Sequence, residues 1–147
     1  RVIEPEVLPV ARELGIGLVP YSPLGRGLMT GKITDPTALA EGDHRLKSPR
    51  FADENFEHNR GLVQHFADYA ANLNCTPAQL AIAWLTAQGD DVVPIPGTKR
   101  RTYLAENAAA ADVVITAVQL DEVSLLMSGV AGARYGWGHT YGDSPTR

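Results

Sequence analysis

The 147 residues carry a net charge of −4, with 44% hydrophobic and 20% charged residues, the balance of one globular domain with a real core. Basic residues cluster only once, at Lys99 to Arg101. This excludes the broad basic face of a general nucleic-acid binder, and no apolar run reaches the ~20 residues of a membrane span. The single cysteine, Cys75, allows no internal disulfide and implies a reducing, cytoplasmic setting. The chain begins with Arg1 and no signal-peptide pattern follows, the start of a processed chain or of a piece of something longer.

In chain order, "EPEVLPVARELGIG" predicts a helix. Val7, Val10, Ala11 and Leu14 share one face, acidic residues open it, Gly15 stops it, and Pro9 leaves it regular only afterwards. "IGLVPYS" is a short apolar run of the kind a parallel strand shows when both faces are covered. Residues 25 to 58 lack a period and predict a long loop with short helical turns. "NRGLVQHFADYAANLN" predicts a helix with Leu62, Val63, Phe66, Ala67, Ala70 and Leu73 as its apolar stripe. "CTPAQLAIAWLTAQG" predicts another, with Thr76 as N-cap, Pro77 in its first position, Leu80, Ala81, Trp84 and Leu85 inward, and Gly89 at the stop. "DDVVPIPGT" is a second short strand. "TYLAENAAAA" and "VQLDEVSLLMSG" complete the helices, and residues 129 to 147 form an irregular tail.

Strands alternating with helices predict a parallel sheet with helical crossovers, whose ligands bind at the carboxyl ends of the strands. Both Gly/Pro-rich loops, "SPLGRG" and "IPGTKR", lie at such ends. The first narrowly misses two phosphate motifs. A Walker A loop ending at Gly31-Lys32 needs glycine where Arg26 stands, and Ile33 replaces its hydroxyl residue. Gly25, Gly27 and Gly31 are one residue too widely spaced for a dinucleotide fingerprint. The second loop combines Gly97, which admits a close backbone approach, with the Thr98 hydroxyl, the charges of Lys99 and Arg100, and a helix start. That set suits a phosphate monoester such as the 2′-phosphate of NADP; it equally describes a solvated turn. Glu106 and Asn107 could read an adenine edge or be surface polarity. His44, His58, His65 and His139 have no metal-ligand spacing. Trp137 and Tyr141 in the tail could line a substrate opening. No nucleophile elbow, Cys/His signature or acid/base dyad is present, so no catalytic residue is assigned.

The blocks "EPEVLPVARELGIGLVPYSPLGRGLMTGK", "NCTPAQLAIAWLTAQGDDVVPIPGTKR" and "LAEN", in this order, resemble the carboxyl-terminal half of an aldo-keto reductase over residues 1 to 128. The resemblance implies a (β/α)8 TIM barrel present as roughly its second half, all 147 residues belonging to that one domain, with "GLVPYS" and "VVPIP" as the seventh and eighth strands. It implies NADP(H) as cofactor and a small-molecule aldehyde or ketone as substrate; charge, hydropathy and histidine spacing point to no nucleic-acid, membrane or metal partner, and the oligomeric state stays open. Ser22, Pro23, Leu24, Gly25 and Gly27 would then wrap the pyrophosphate. Ile95, Gly97, Thr98 and Lys99 would hold the 2′-phosphate and ribose, Arg100 or Arg101 assisting, and Glu106 and Asn107 would face the adenine. The family's tetrad of aspartate, tyrosine, lysine and histidine lies on the first four strands and has no counterpart here; Tyr21 is not its tyrosine. The chain alone is therefore expected not to turn over, and a half barrel exposes strand edges that invite association. A non-catalytic NADPH-sensing module of the same fold, like channel regulatory subunits, and an inactive truncated product are the alternatives.

Overall fold

A computed structural model describes residue 1 and residues 3–135. Two short parallel strands, β1 (residues 18–21) and β2 (residues 92–95), lie side by side, paired at Leu18 with Val92 and at Tyr21 with Ile95. Leu18 N donates to Asp91 O at 2.7 Å, and Val93 N donates to Leu18 O at 2.9 Å. The next bond of a parallel ladder would come from residue 20, but Pro20 has no N–H. The ladder therefore skips a rung and resumes with Ile95 N donating to Pro20 O at 3.2 Å.

Among the described residues, five α-helices accompany the pair: α1 (Val7–Glu13), α2 (Asp53–Asn72), α3 (Pro77–Thr86), α4 (Arg101–Ala108) and α5 (Ala117–Leu126). The predicted stripe of α1 does not hold: Leu8 is its buried residue, while Val10 and Leu14 are exposed. Nor do acidic residues occupy its first turn; Glu4 precedes the helix and pairs with Arg1 at 2.8 Å. The strands do not have the cover expected on both faces. Val92 is buried against the helices, but Val19, Tyr21, Val93 and Ile95 are between 52% and 57% exposed. Alternation puts these four on one side of the pair, opposite the helical layer.

The helix α2 starts at Asp53, so the irregular stretch after β1 ends at Ala52 rather than at residue 58. Asp53 and Glu54 favour that start by facing the positive end of the helix dipole. The stretch itself is four short 3-10 turns, Gly25–Thr30, Pro36–Ala38, His44–Lys47 and Pro49–Phe51. In α3, Thr76 Oγ1 accepts from Gln79 N at 3.2 Å while Gln79 Oε1 accepts from Thr76 N at 2.9 Å, a capping box with Pro77 in the first turn. Thr116 and Gln119 repeat the device on α5.

The core is the layer between these helices: Phe66 and Ala70 of α2, Leu80 and Ala81 of α3 and Val123 of α5, continued by Leu28, Phe51, Phe56 and Val63. Fully buried side chains such as Phe66 and Leu80 each contribute about 1.5–3 kcal/mol relative to exposure. Trp84, expected inside, is half-buried and donates from Nε1 to Ser124 Oγ at 3.0 Å. Arg12 fastens α1 to the entry of β2 through a two-pronged pair with Asp91 at 2.8 and 3.1 Å, and donates to Gln88 O at 2.6 Å. Gly89 makes room for that pair. A Cβ there would collide with Asp91 Oδ1 and stand 2.8 Å from Arg12 Nη2.

Candidate functional site: two loops at one sheet edge

The Tyr21–Ile95 bridge ends both strands at the same level, so the loops that follow leave from adjacent positions. This brings the two sequence-predicted groups, Ser22 to Gly27 and Ile95 to Arg100, to one edge. The first loop is tightly self-determined. Gly25, Arg26 and Gly27 follow one another with φ of 56°, 60° and 93°, and Ser22 is also left-handed at 53°, a conformation that disfavours side chains with a Cβ. Gly25 N donates to Ser22 O at 3.0 Å, Gly27 N to Leu24 O at 2.9 Å, and Thr30 Oγ1 to Gly27 O at 2.6 Å.

Arg45 braces the loop from outside. Its guanidinium grips Asp43 at 2.9 and 2.7 Å and reaches Arg26 O at 3.4 Å. The Arg45 hydrogen bonds hold the Asp43 carboxyl well below the usual carboxylate range. The pair is thereby favoured as ions to lower pH than an isolated carboxylate would be.

The second loop is held by much less. Thr98 Oγ1 donates to Arg100 O at 3.2 Å and accepts from Arg100 N at 3.4 Å. Arg100 is the N-cap of α4 and supplies no side-chain cap, which leaves the first-turn N–H groups open. Gly97 has no positive φ, and a Cβ there would meet nothing within 4 Å. Lys99, Arg100 and Arg101 are exposed and have no carboxylate partner among the described residues. Beside the loop lies a cavity of about 450 Å³ lined by Ile82, Pro94, Pro96, Leu104 and Asn107 among others. Asn107 is 8% exposed, and its amide makes no hydrogen bond among the described residues. Glu106, predicted as its companion, does not line this cavity.

Sequence reasoning missed five contributors. In the sequence Lys32 suggests only a failed Walker lysine; its Nζ lies 4.3 Å from the Tyr103 ring centroid, with Arg100 Cζ at 5.6 Å from the same ring. That contact joins the end of the first loop to α4 beside the second. Asn59, buried in α2, donates to Arg50 O and Ala131 O at 3.1 and 3.0 Å and accepts from Ala131 N at 2.8 Å. With His58 against Gly129 O at 2.7 Å, it pins residues 129 to 132 across the short turns. Arg134 and Tyr135, further along the predicted tail, contact Tyr21. Only an unexplained polar residue on an apolar face, Asn59, marked this seam in the sequence. Trp137, His139 and Tyr141 lie outside the described residues.

No group of three or more potential metal ligands occurs among the described residues, and no helix there is long and apolar enough to cross a membrane. The aldo/keto reductase family model matches residues 1–126. The chain is 46% identical over 131 residues to a Schizosaccharomyces pombe protein named aldo-keto reductase yakc, with NADP(+) in its name, covering 88% of this chain and 38% of that protein. It is 44% identical over 137 residues to probable aldo-keto reductase 1 of Glycine max, 92% of this chain against 39% of the relative. Among solved structures, the glycerol dehydrogenase AKR11B4 of Gluconobacter oxydans superposes with a TM-score of 0.74 at 25% identity, over 88% of this chain and 39% of its own. The chain thus spans about two-fifths of the length of these relatives.

Proposed function

Since the chain belongs to the aldo/keto reductase family, we propose that it is the cofactor-holding part of an NADP(H)-dependent reductase of aldehydes and ketones. The observation that carries this reading is the second loop: three exposed cations with no carboxylate partner among the described residues, beside a Gly97 whose missing Cβ none of those residues requires. A glycine that none of the described residues demands fits a backbone reserved for close approach by a ligand. The name of the Schizosaccharomyces pombe relative, which includes NADP(+), supports the choice of cofactor.

Ser22, Pro23, Leu24, Gly25 and Gly27 would cradle the pyrophosphate through the left-handed backbone. Ile95, Gly97, Thr98, Lys99 and Arg100 would take the ribose and 2′-phosphate, the open N–H groups of α4 adding their partial positive charge. Asn107 would offer its unpaired amide to the adenine from the cavity wall, with Glu106 one residue away. When bound, NADP(H) supplies the hydride that a carbonyl carbon accepts; this chain's own residues orient it and supply no proton. The proton donor and its partners belong, on this reading, to the part of the barrel that the relatives have and these 147 residues do not. A cytoplasmic location goes with the reading.

Fluorescence titration of the complete polypeptide with NADPH and NADH tests the cofactor assignment. Tighter NADPH binding that Lys99→Met removes is expected; equal affinity for the two would overturn it. Carbonyl-dependent NADPH oxidation separates an enzyme from a nucleotide-sensing module, which would bind tightly and not oxidise.

A further inference from the structure

Tyr21 ends β1 on the face of the strand pair turned away from the helices, together with Val19, Val93 and Ile95. In a (β/α)8 barrel that face is the interior, and its carboxyl end is where substrates react. Three guanidinium groups from separate parts of the chain lie along the 132–135 segment that reaches this point. Arg134 Cζ stands 4.2 Å from the Tyr21 ring centroid, and its Nη2 donates to Tyr21 O at 3.3 Å. The Tyr135 hydroxyl is hydrogen-bonded to that of Tyr21. On the Tyr135 ring lie both Arg26, with Cζ at 5.2 Å, and Arg134, with Cζ at 6.0 Å. Arg50 holds the same segment by donating to Gly132 O at 3.3 Å, and a Cβ on Gly132 would come within 2.8 Å of the Pro49 carbonyl. The segment is seated, not draped.

Among the described residues, Arg1, Arg12, Arg45 and Arg60 each have a carboxylate partner, whereas Arg26, Arg50 and Arg134 have none. Burial, then the charges of Arg134 and Arg26, push the Arg50 guanidinium below its ordinary pKa. Like charges brought together and partly withdrawn from water oppose one another, and an anion placed among them reverses the sign of that energy. Planar guanidinium groups suit the paired oxygens of a carboxylate or phosphate.

We propose that Arg26, Arg50 and Arg134 form a receptor for an anionic group on the carbonyl substrate, a carboxylate or phosphate at the barrel mouth. The proposal rests on the reductase reading above. It assigns the stretch from Gly129 to Tyr135 a role in substrate choice, with Asn59 and His58 as the positioning residues that seat it.

The test compares kcat/KM of the complete polypeptide for 4-carboxybenzaldehyde and for neutral 4-nitrobenzaldehyde, alongside NADPH affinity by fluorescence. Arg134→Gln is expected to lose about tenfold or more on the carboxylated aldehyde, the scale of one charge-assisted contact, and under about twofold on the neutral one and on NADPH. Arg134→Lys should recover part of the loss. Equal losses on both aldehydes, or a loss confined to NADPH, would overturn the proposal, the arginines then serving the fold or the cofactor's pyrophosphate. Calorimetric binding of benzoate, with benzamide as neutral control, reads the receptor without turnover. If neither aldehyde is reduced, the reductase reading fails, yet benzoate binding that Arg134→Gln abolishes still upholds the receptor. No benzoate binding by the wild type overturns it.

Discussion

The two faces of the strand pair could hardly differ more. Towards α2 and α3 lie Val92, Leu80, Ala83 and Phe66, all buried, and α3 opens there on a closed capping box. On the other face Val19, Tyr21, Val93 and Ile95 are more than half exposed. The difference tells which contacts the chain makes for itself and which it holds ready. A helical layer can close over its own residues because its partners lie within these 147 residues. The interior of a barrel cannot, because each strand there needs strands from the whole circle.

Breaking the covered face should cost most. Leu80→Ala is expected to destabilise the chain by about 2–5 kcal/mol in urea denaturation, since the site is fully buried and a cavity remains. Ile95→Ala, on the open face, should cost under about 1 kcal/mol in this chain and approach the core value in the complete polypeptide. Equal costs for Ile95→Ala in the two settings would sink the division into faces. Next comes Asn59→Ala, which leaves the Ala131 groups and Arg50 O without their buried partner. A loss of about 1–3 kcal/mol is expected, with faster proteolytic release of the residues beyond Ser128.

Gly97→Ala should leave the denaturation midpoint unchanged and weaken NADPH binding by the complete polypeptide about tenfold, roughly 1.4 kcal/mol. A fall in stability without a fall in affinity would show that the glycine serves the fold. The smallest effect belongs to the surface pair of α2 and α5. The hydrogen bond to Glu122 and its charge push the Tyr69 hydroxyl up to about 12 from 10. The unfolded chain then ionises first, so stability falls as pH rises from about 10 towards 12. The slope of stability against pH over that window should be shallower in Tyr69→Phe.

Much of this was legible in the residues. Thr76, Pro77 and Gln79 announce α3 by a local code of hydrogen bonds, and the phenylalanine and alanine spacing of α2 marks its buried face. The two Gly/Pro loops announce a shared edge once the strands are read as parallel. What failed did so for want of distant partners. Val10 and Leu14 show helical periodicity whichever surface they meet, so periodicity alone could not reveal that this chain leaves them open. The start of α2 was misplaced because Asp53 and Glu54 look like loop residues until the dipole is considered. Lys32, Asn59 and Arg134 act across loops and segments far apart in the chain, and no short-range pattern carries such contacts.

The prolines of the strand pair decide how its two free edges would behave. On β2 the donors facing outward should come from residues 92, 94 and 96, yet Val92 N already bonds Gly89 O at 3.0 Å and Pro94 and Pro96 have no N–H to give. That border offers carbonyl acceptors and almost nothing else, which makes it a poor template for a stray strand. The border of β1 is different, since Val19 and Tyr21 keep their amides. Misassembly of copies of this chain should therefore be one-sided, growing from β1 and stopping at β2, which favours capped pairs of molecules over extended fibres.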